Sequence, residues 1–158
     1  MIVIADTGPV HYLILIQEIQ ILPALYGRIL IPVSVSTELR HPHAPDLVRA
    51  WMDQPPAWLE MRSPGLAPDT ELASAHLDAG ERDAILLAEE LGADQLIIDE
   101  IRGRRVAQQR HLPVTGTLGV LKAGASQGLL DLTTAVPKLS QTNFHVAQLV
   151  LDRLIKGQ

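Results

Sequence analysis

Six acidic side chains fall in four short stretches of this 158-residue chain whose surroundings repeat. Asp6 ends the apolar start of MIVIADTG. Glu38 lies in SVSTELR (34–40). Glu81 and Asp83 lie in GERDAILLA (80–88), and Asp99 and Glu100 in LIIDEIRGRR (96–105). Each stands at the C-terminal end of a short apolar run or near the start of a helical one. Carboxylates brought to one place repel one another and take up protons unless a positive charge sits among them. Hard divalent cations with oxygen ligands meet that need. Mg2+ or Mn2+ suits carboxylates better than Zn2+, which prefers His or Cys.

Each acid also has a simpler role open to it. Asp6 and Asp99 can cap the helices that follow them, since Asp at a helix start accepts backbone N–H groups. Glu38 can be a solvated acid on a helix surface. Asp78 and Glu81 are spaced as a capping box, so Glu81 can tie off a helix end. Asp83 falls on the same side of its helix as Leu87, the side that packs inward, and a carboxylate there needs a partner. The acids become informative only if the fold gathers them.

The elements that must do so follow from the pattern. Residues 2–5, 29–32, 59–62, 95–98 and 112–114 read as strands. Residues 9–17 and 18–26 read as helical with a break near Glu18. Pro32 opens a helix to about Arg40, and 46–53 is another short helix. HPHAP (41–45), QPPAW (54–58) and SPGLAPD (63–69) are loops. Apolar residues at 84, 87, 88 and 91 mark one face of a helix over 81–91, with Gly92 at its C-terminal end. Further helices cover 100–110 and 117–126, the latter closed by Gly128. One or two helices follow Asp131, with a break at Gln141–His145; no chemistry is legible there. Strands alternating with helices of about ten residues predict βαβ units and a parallel sheet. In such a sheet all C-terminal strand ends point the same way, into one crevice.

Composition narrows the classes. The chain is 47% apolar and 20% charged, an ordinary globular balance that suits one domain. We take 1–158 as a single domain with 131–158 as a helical extension packed on it. Cysteine is absent, which excludes disulfides and thiolate chemistry and suits a reducing cytoplasm. Aromatic residues are only 3%, so base-stacking platforms are not expected in number. Net charge is −5, which argues against a generally basic nucleic-acid-binding surface; with the six acids set aside, 13 basic face 12 acidic residues. No leader peptide and no run long enough for a membrane span are expected. The six histidines form no metal motif, and there is no G-x-S-x-G, P-loop or GxGxxG.

The order Asp6, Glu38, Asp83 in D-A-x-x-x-A (83–88) and Asp99 after a strand resembles the PIN domain, the nuclease domain of VapC-type toxins. The chain is most similar to a prokaryotic PIN-like subgroup with DTGP (6–9), LDxGE (77–81), an acidic pair with arginines (99–105) and GTLGVL (116–121). The resemblance covers about residues 1–130. It implies an α/β fold of three layers, α-β-α, with a central parallel sheet of Rossmann-like topology. It implies a Mg2+- or Mn2+-dependent endoribonuclease leaving a 5′-phosphate and a 3′-hydroxyl. The catalytic set would be Asp6, Glu38, Asp83 and Asp99, and the metal ligands Asp6, Asp99 and Asp83 or Glu81. RNA would meet Thr7, Arg102 and Arg105 within the arginine cluster that includes Arg104 and Arg110.

Many PIN domains carry Thr or Ser two residues before the last Asp; Ile97 stands there, so Thr115 or Thr117 is the candidate hydroxyl. The resemblance also implies an antitoxin partner and a homodimer, for which the apolar run Val10–Ile21 offers surface. Haloacid-dehalogenase-type chemistry needs a second Asp two residues after Asp6, where Gly8 stands. A PIN-like protein that binds without cleaving is the alternative outside enzymology.

Overall fold

The strands of the computed structural model are β1 (Val3–Ala5), β2 (Ile29–Pro32), β3 (Leu59–Arg62), β4 (Gln95–Ile97) and β5 (Val114–Thr115). The structure describes residues 1–145 and 148–156. The sheet order is β3-β2-β1-β4-β5, and every pairing is parallel. In the register Ile4 lies between Leu30 and Leu96, and Ile97 pairs with both Ala5 and Thr115. The chain thus winds outward from β1 in one direction and resumes on its other side with β4. The crevice at such a reversal, beyond the C-terminal strand ends, is where open α/β sheets bind their ligands.

The central strands are apolar on both faces, as a sheet covered by helices on each side requires. Val3, Ala5, Ile29, Ile31 and Ile97 face one helical layer. Ile4, Leu30, Leu96 and Ile98 face the other. The first layer holds α1 (Thr7–Leu15), α2 (Ile21–Tyr26), α3 (Val33–Leu39), α4 (Asp46–Asp53), α8 (Thr117–Ser126) and α9 (Leu132–Ser140). The second holds α5 (Thr70–Ala73), α6 (Ala79–Leu91) and α7 (Ile101–Gln109). A last helix, α10 (Gln148–Lys156), packs on α9, and its Leu154 and Ile155 lie against the core. Burial of each fully covered Leu or Ile contributes about 1.5–3 kcal/mol, so the two apolar layers hold the sheet between them. No helix among the described residues is long and apolar enough to cross a membrane.

Differences from the sequence reading are local and have causes. The break between α1 and α2 turns at Gln17, whose φ is 61°, next to the expected Glu18. Pro32 is the last residue of β2, with ψ 150°, so its helix begins at Val33. The last strand is Val114–Thr115 rather than 112–114, because the amide of Leu112 still donates to the Ala107 carbonyl at the end of α7. The single turn of α5 was not anticipated; Asp69 caps it by accepting the Leu72 amide at 2.8 Å. The run Val10–Ile21 offers little surface to a second copy. Val10, Leu13, Ile14, Ile16, Ile19 and Ile21 are all buried in the chain's own core.

Candidate functional site

Asp6 occupies the N-cap position of α1, yet its side chain makes no capping hydrogen bond. Its amide continues the ladder by donating to the Ile97 carbonyl at 2.9 Å, which fixes the residue at the end of β1. The residue is 6% exposed. Among the described residues, Asp6 Oδ1 and Thr7 Oγ1 are the two buried side-chain atoms without a hydrogen-bond partner. Leaving such a group unsatisfied costs about 1–3 kcal/mol, more for a charge, so an orphaned carboxylate oxygen at a crevice asks for a ligand.

Gly80 shows what lies next to it. A Cβ there would stand 2.9 Å from Glu38 Oε1 and 3.1 Å from Asp6 Oδ1, so the two oxygens converge on the gap over this glycine. A larger residue would fill it. Glu38 reaches the gap from α3. Ser34, one turn earlier, donates to Asp83 Oδ2 at 2.7 Å and thereby ties α3 to α6.

Glu81 approaches from the first turn of α6 and is 8% exposed. It completes a capping box: its amide donates to Asp78 Oδ1 at 2.8 Å, and its Oε2 accepts the Asp78 amide at 3.3 Å. The capping role is therefore real, and the same residue also lines the cleft. Asp99 follows β4 and caps α8 rather than its own helix. Its Oδ1 accepts the Thr117 amide at 2.7 Å, and its Oδ2 accepts the Thr117 hydroxyl at 2.6 Å. A Cβ at Gly116 would meet Asp99 Oδ1 at 2.7 Å and Arg104 Nη1 at 2.6 Å, so that glycine too keeps a space open.

The cleft over these residues has a volume of about 630 Å3 and is lined by Asp6, Thr7, Glu38, Asp78, Glu81 and Asp99, among others. Burial pushes the Asp6 carboxyl up to about 8, helped by the charges of Asp78, Glu81 and Glu38. Burial and Asp78 push Glu81 up to about 7. Glu38 is raised by burial, while the nearby Thr7 hydroxyl pulls the other way; that hydroxyl approaches Glu38 without reaching hydrogen-bond geometry. Asp99 is raised by burial, and its two bonds from Thr117 and the Arg104 charge oppose the rise.

Several candidate residues sit elsewhere. Asp83 does not line the cleft; Ser34 and Arg82 hold it between α3 and α6. Thr117 is fully buried behind Asp99 and positions that carboxylate, leaving no hydroxyl for a substrate. Thr115 packs its hydroxyl against Gly119 and is not on the cleft wall. Arg102 and Arg105 line a second cavity of about 440 Å3, which shares Asp78, Glu81, Glu100 and Ile101 with the first. Arg104 lines the first cavity, and Arg110 binds Asp69 and Glu89.

The stretch assigned no chemistry, 141–145, contributes Asn143, Phe144 and His145 to the cleft wall. Tyr12, on α1, also lines the cleft; its hydroxyl donates to Asn143 Oδ1 at 2.9 Å and its ring meets Phe144 edge-on at 4.9 Å. Tyr12 had a legible signal: its four-residue spacing from Gly8 puts both on one face of α1. The 143–145 segment had none.

Among the described residues, no three His, Cys, Asp or Glu side chains already stand close enough to hold a metal ion. The donor set nonetheless fits a hard cation: all oxygen, partly or wholly buried, and with Asp6 raised by its carboxylate neighbours and its Oδ1 unpartnered. A family model described as a PIN domain matches residues 2–157. No curated protein and no solved structure matches the chain.

Proposed function

The chain belongs to the PIN-domain family, and from that premise we propose that it is a metal-dependent endoribonuclease hydrolysing RNA phosphodiester bonds. The observation that carries the reading is Asp6: buried at the switch point of the sheet, without a capping bond, and paired across Gly80 with a second carboxylate.

In this reading Asp6 and Glu38, with Glu81 or Asp99 completing the set, hold one or two Mg2+ or Mn2+ ions. A bound divalent ion lowers the pKa of an attacking water and stabilises the leaving oxygen of a phosphodiester. The protein's own groups do the rest. Thr117 holds Asp99 in one orientation through two bonds. The Arg104 guanidinium, on the cleft wall beside Asp99, offsets phosphate charge. Arg102 and Arg105, both exposed and without a carboxylate partner among the described residues, extend that positive surface along the neighbouring cavity. Ser34 and Asp83 keep α3 against α6, so that Glu38 stays over Gly80.

The biological setting proposed is a toxin with a cognate antitoxin, acting as a homodimer in the cytoplasm. It rests on the family resemblance; light scattering that gives a monomer at micromolar concentration removes the dimer. The nuclease is tested with a labelled mixed-sequence RNA in Mg2+, in Mn2+ and in EDTA, using the wild type and Asp99→Asn. Metal-requiring cleavage that falls in the variant supports the reading. Absence of cleavage together with absence of Mn2+ binding leaves a PIN-like protein that only binds.

A further inference from the structure

The chain has five Trp, Tyr and Phe residues in all, and their distribution is uneven. Trp51 and Trp58 pack on each other at 5.8 Å, away from the cleft. Tyr26 is also away from it. The only phenylalanine, Phe144, and the other tyrosine, Tyr12, stand together on the wall of the carboxylate cleft. They come from opposite ends of the chain, 132 residues apart, and are joined by the Tyr12–Asn143 hydrogen bond. Leu118 and His145 flank them on the same wall. Tyr12, Leu118 and Phe144 pack against the hydrophobic core on one side and present their remaining surface to the cleft.

Ile101, a large apolar side chain left 70% exposed, stands where the two cavities meet. Beyond it, the second cavity leads to Arg102, Arg105 and His76. The groove is therefore asymmetric along its length. It is aromatic at one end, acidic in the middle and basic at the other. A single nucleotide strand has the same needs in series: a π-face to cover, a phosphate to neutralise and more backbone to follow.

We infer that Tyr12 and Phe144 form a nucleobase pocket beside the carboxylates, so that the segment after α9 selects the nucleotide next to the cleaved bond. This rests on the nuclease reading of the cleft. The Tyr12 hydroxyl engages Asn143 Oδ1, leaving the Asn143 amide N–H groups to donate to a base edge. The 143–145 segment is then a specificity element, and RNA would leave the pocket toward Arg102 and Arg105.

The test uses the full chain, Phe144→Leu and Phe144→Tyr, with melting curves confirming that each variant folds. Binding of a short RNA carrying one 2-aminopurine is followed by fluorescence in Ca2+, with the reporter moved along the strand. Quenching at one position in the wild type and Phe144→Tyr, lost in Phe144→Leu, is the expected result. Equal quenching in all three proteins, or none in the wild type, overturns the pocket. Cleavage in Mg2+ is scored separately on strands with a single abasic site. Loss of the base at the quenched position raises KM about tenfold in the wild type and not in Phe144→Leu. Metal-dependent cleavage without position-specific quenching overturns the pocket and leaves the nuclease standing. Quenching with no cleavage of any RNA overturns the nuclease and leaves the pocket.

Discussion

The two ends of α7 treat charge in opposite ways. At its C-terminal end, Arg110 reaches Asp69 at 2.9 Å and Glu89 at 2.8 Å, joining α7 to the cap of α5 and to α6. Those bonds hold the Asp69 carboxyl below its ordinary range. Every charge there has a partner. At the N-terminal end, Asp99 and Glu100 open onto a cleft with Asp6, Glu38 and Glu81. There burial, with repulsion from neighbouring carboxylates, raises Asp6 and Glu81, and Asp6 keeps an oxygen without a hydrogen-bond partner. A fold gains nothing from such crowding, since unpaired buried carboxyls cost stability. The paired cluster is part of what holds the fold together; the crowded one, in the proposed reading, is held in place by the fold for a metal ion. Strongly raised carboxyls gathered in a cleft are a physical mark of a functional site.

The comparison breaks most visibly at Asp6. Partners one shell beyond a metal ligand are worth about 10–100-fold, so if Asp6 is a ligand as proposed, Asp6→Asn is expected to lower RNA cleavage by about 100-fold or more. The same change raises the melting temperature of the metal-free protein at pH 8, because it removes a buried, repelled charge. A variant with full activity, or a less stable one, would contradict the assignment.

The second expected effect is on pH. Asp6 sits at about 8 and Glu81 at about 7 in the folded chain, against ordinary values of 3.8 and 4.5. The folded state therefore binds protons that the unfolded state has released. Their stabilisation is complete below about pH 4 and is lost as pH rises through 7 to 8. In EDTA the melting temperature should fall between pH 5 and pH 8. Saturating Mn2+ favours the ionised carboxylates and should weaken or reverse that slope.

Arg110→Ala probes the paired cluster. It should lower the melting temperature by about 2–4 °C and leave Mn2+ binding unchanged, since Arg110 lies away from the cleft. A change in metal affinity would show the two clusters to be coupled. The smallest effect is expected at Ser34. Ser34→Ala removes one hydrogen bond to Asp83, about 0.5–1.5 kcal/mol of stability by urea denaturation. Asp83→Asn, which keeps an acceptor for Ser34, should still bind Mn2+. Lost binding in Asp83→Asn would return that residue to the ligand set.

Much of this difference between clusters was legible in the chain. The runs before Asp6 and Asp99 are apolar without alternation, which is how strands covered on both faces read, and the parallel sheet follows. The capping-box spacing of Asp78 and Glu81 was visible too, and the box is present. Periodicity could not say which of Glu81 and Asp83 meets the cleft. That depends on Ser34, from another helix, which claims Asp83. Nor could it show that Val10–Ile21 is covered by the chain's own α3, α4 and α8, because packing partners are set by the tertiary fold. The aromatic wall was hidden for the same reason: Tyr12 and Phe144 meet only once the segment after α9 reaches α1.

The measurement closest to the central claim is calorimetric titration of the metal-free protein with Mn2+ at pH 8, on the wild type, Asp6→Asn and Glu38→Gln. The account predicts saturable binding with proton release in the wild type, and binding weakened by about tenfold or more in each variant. Wild-type protein that takes up no Mn2+, or variants that bind as tightly as the wild type, would contradict it.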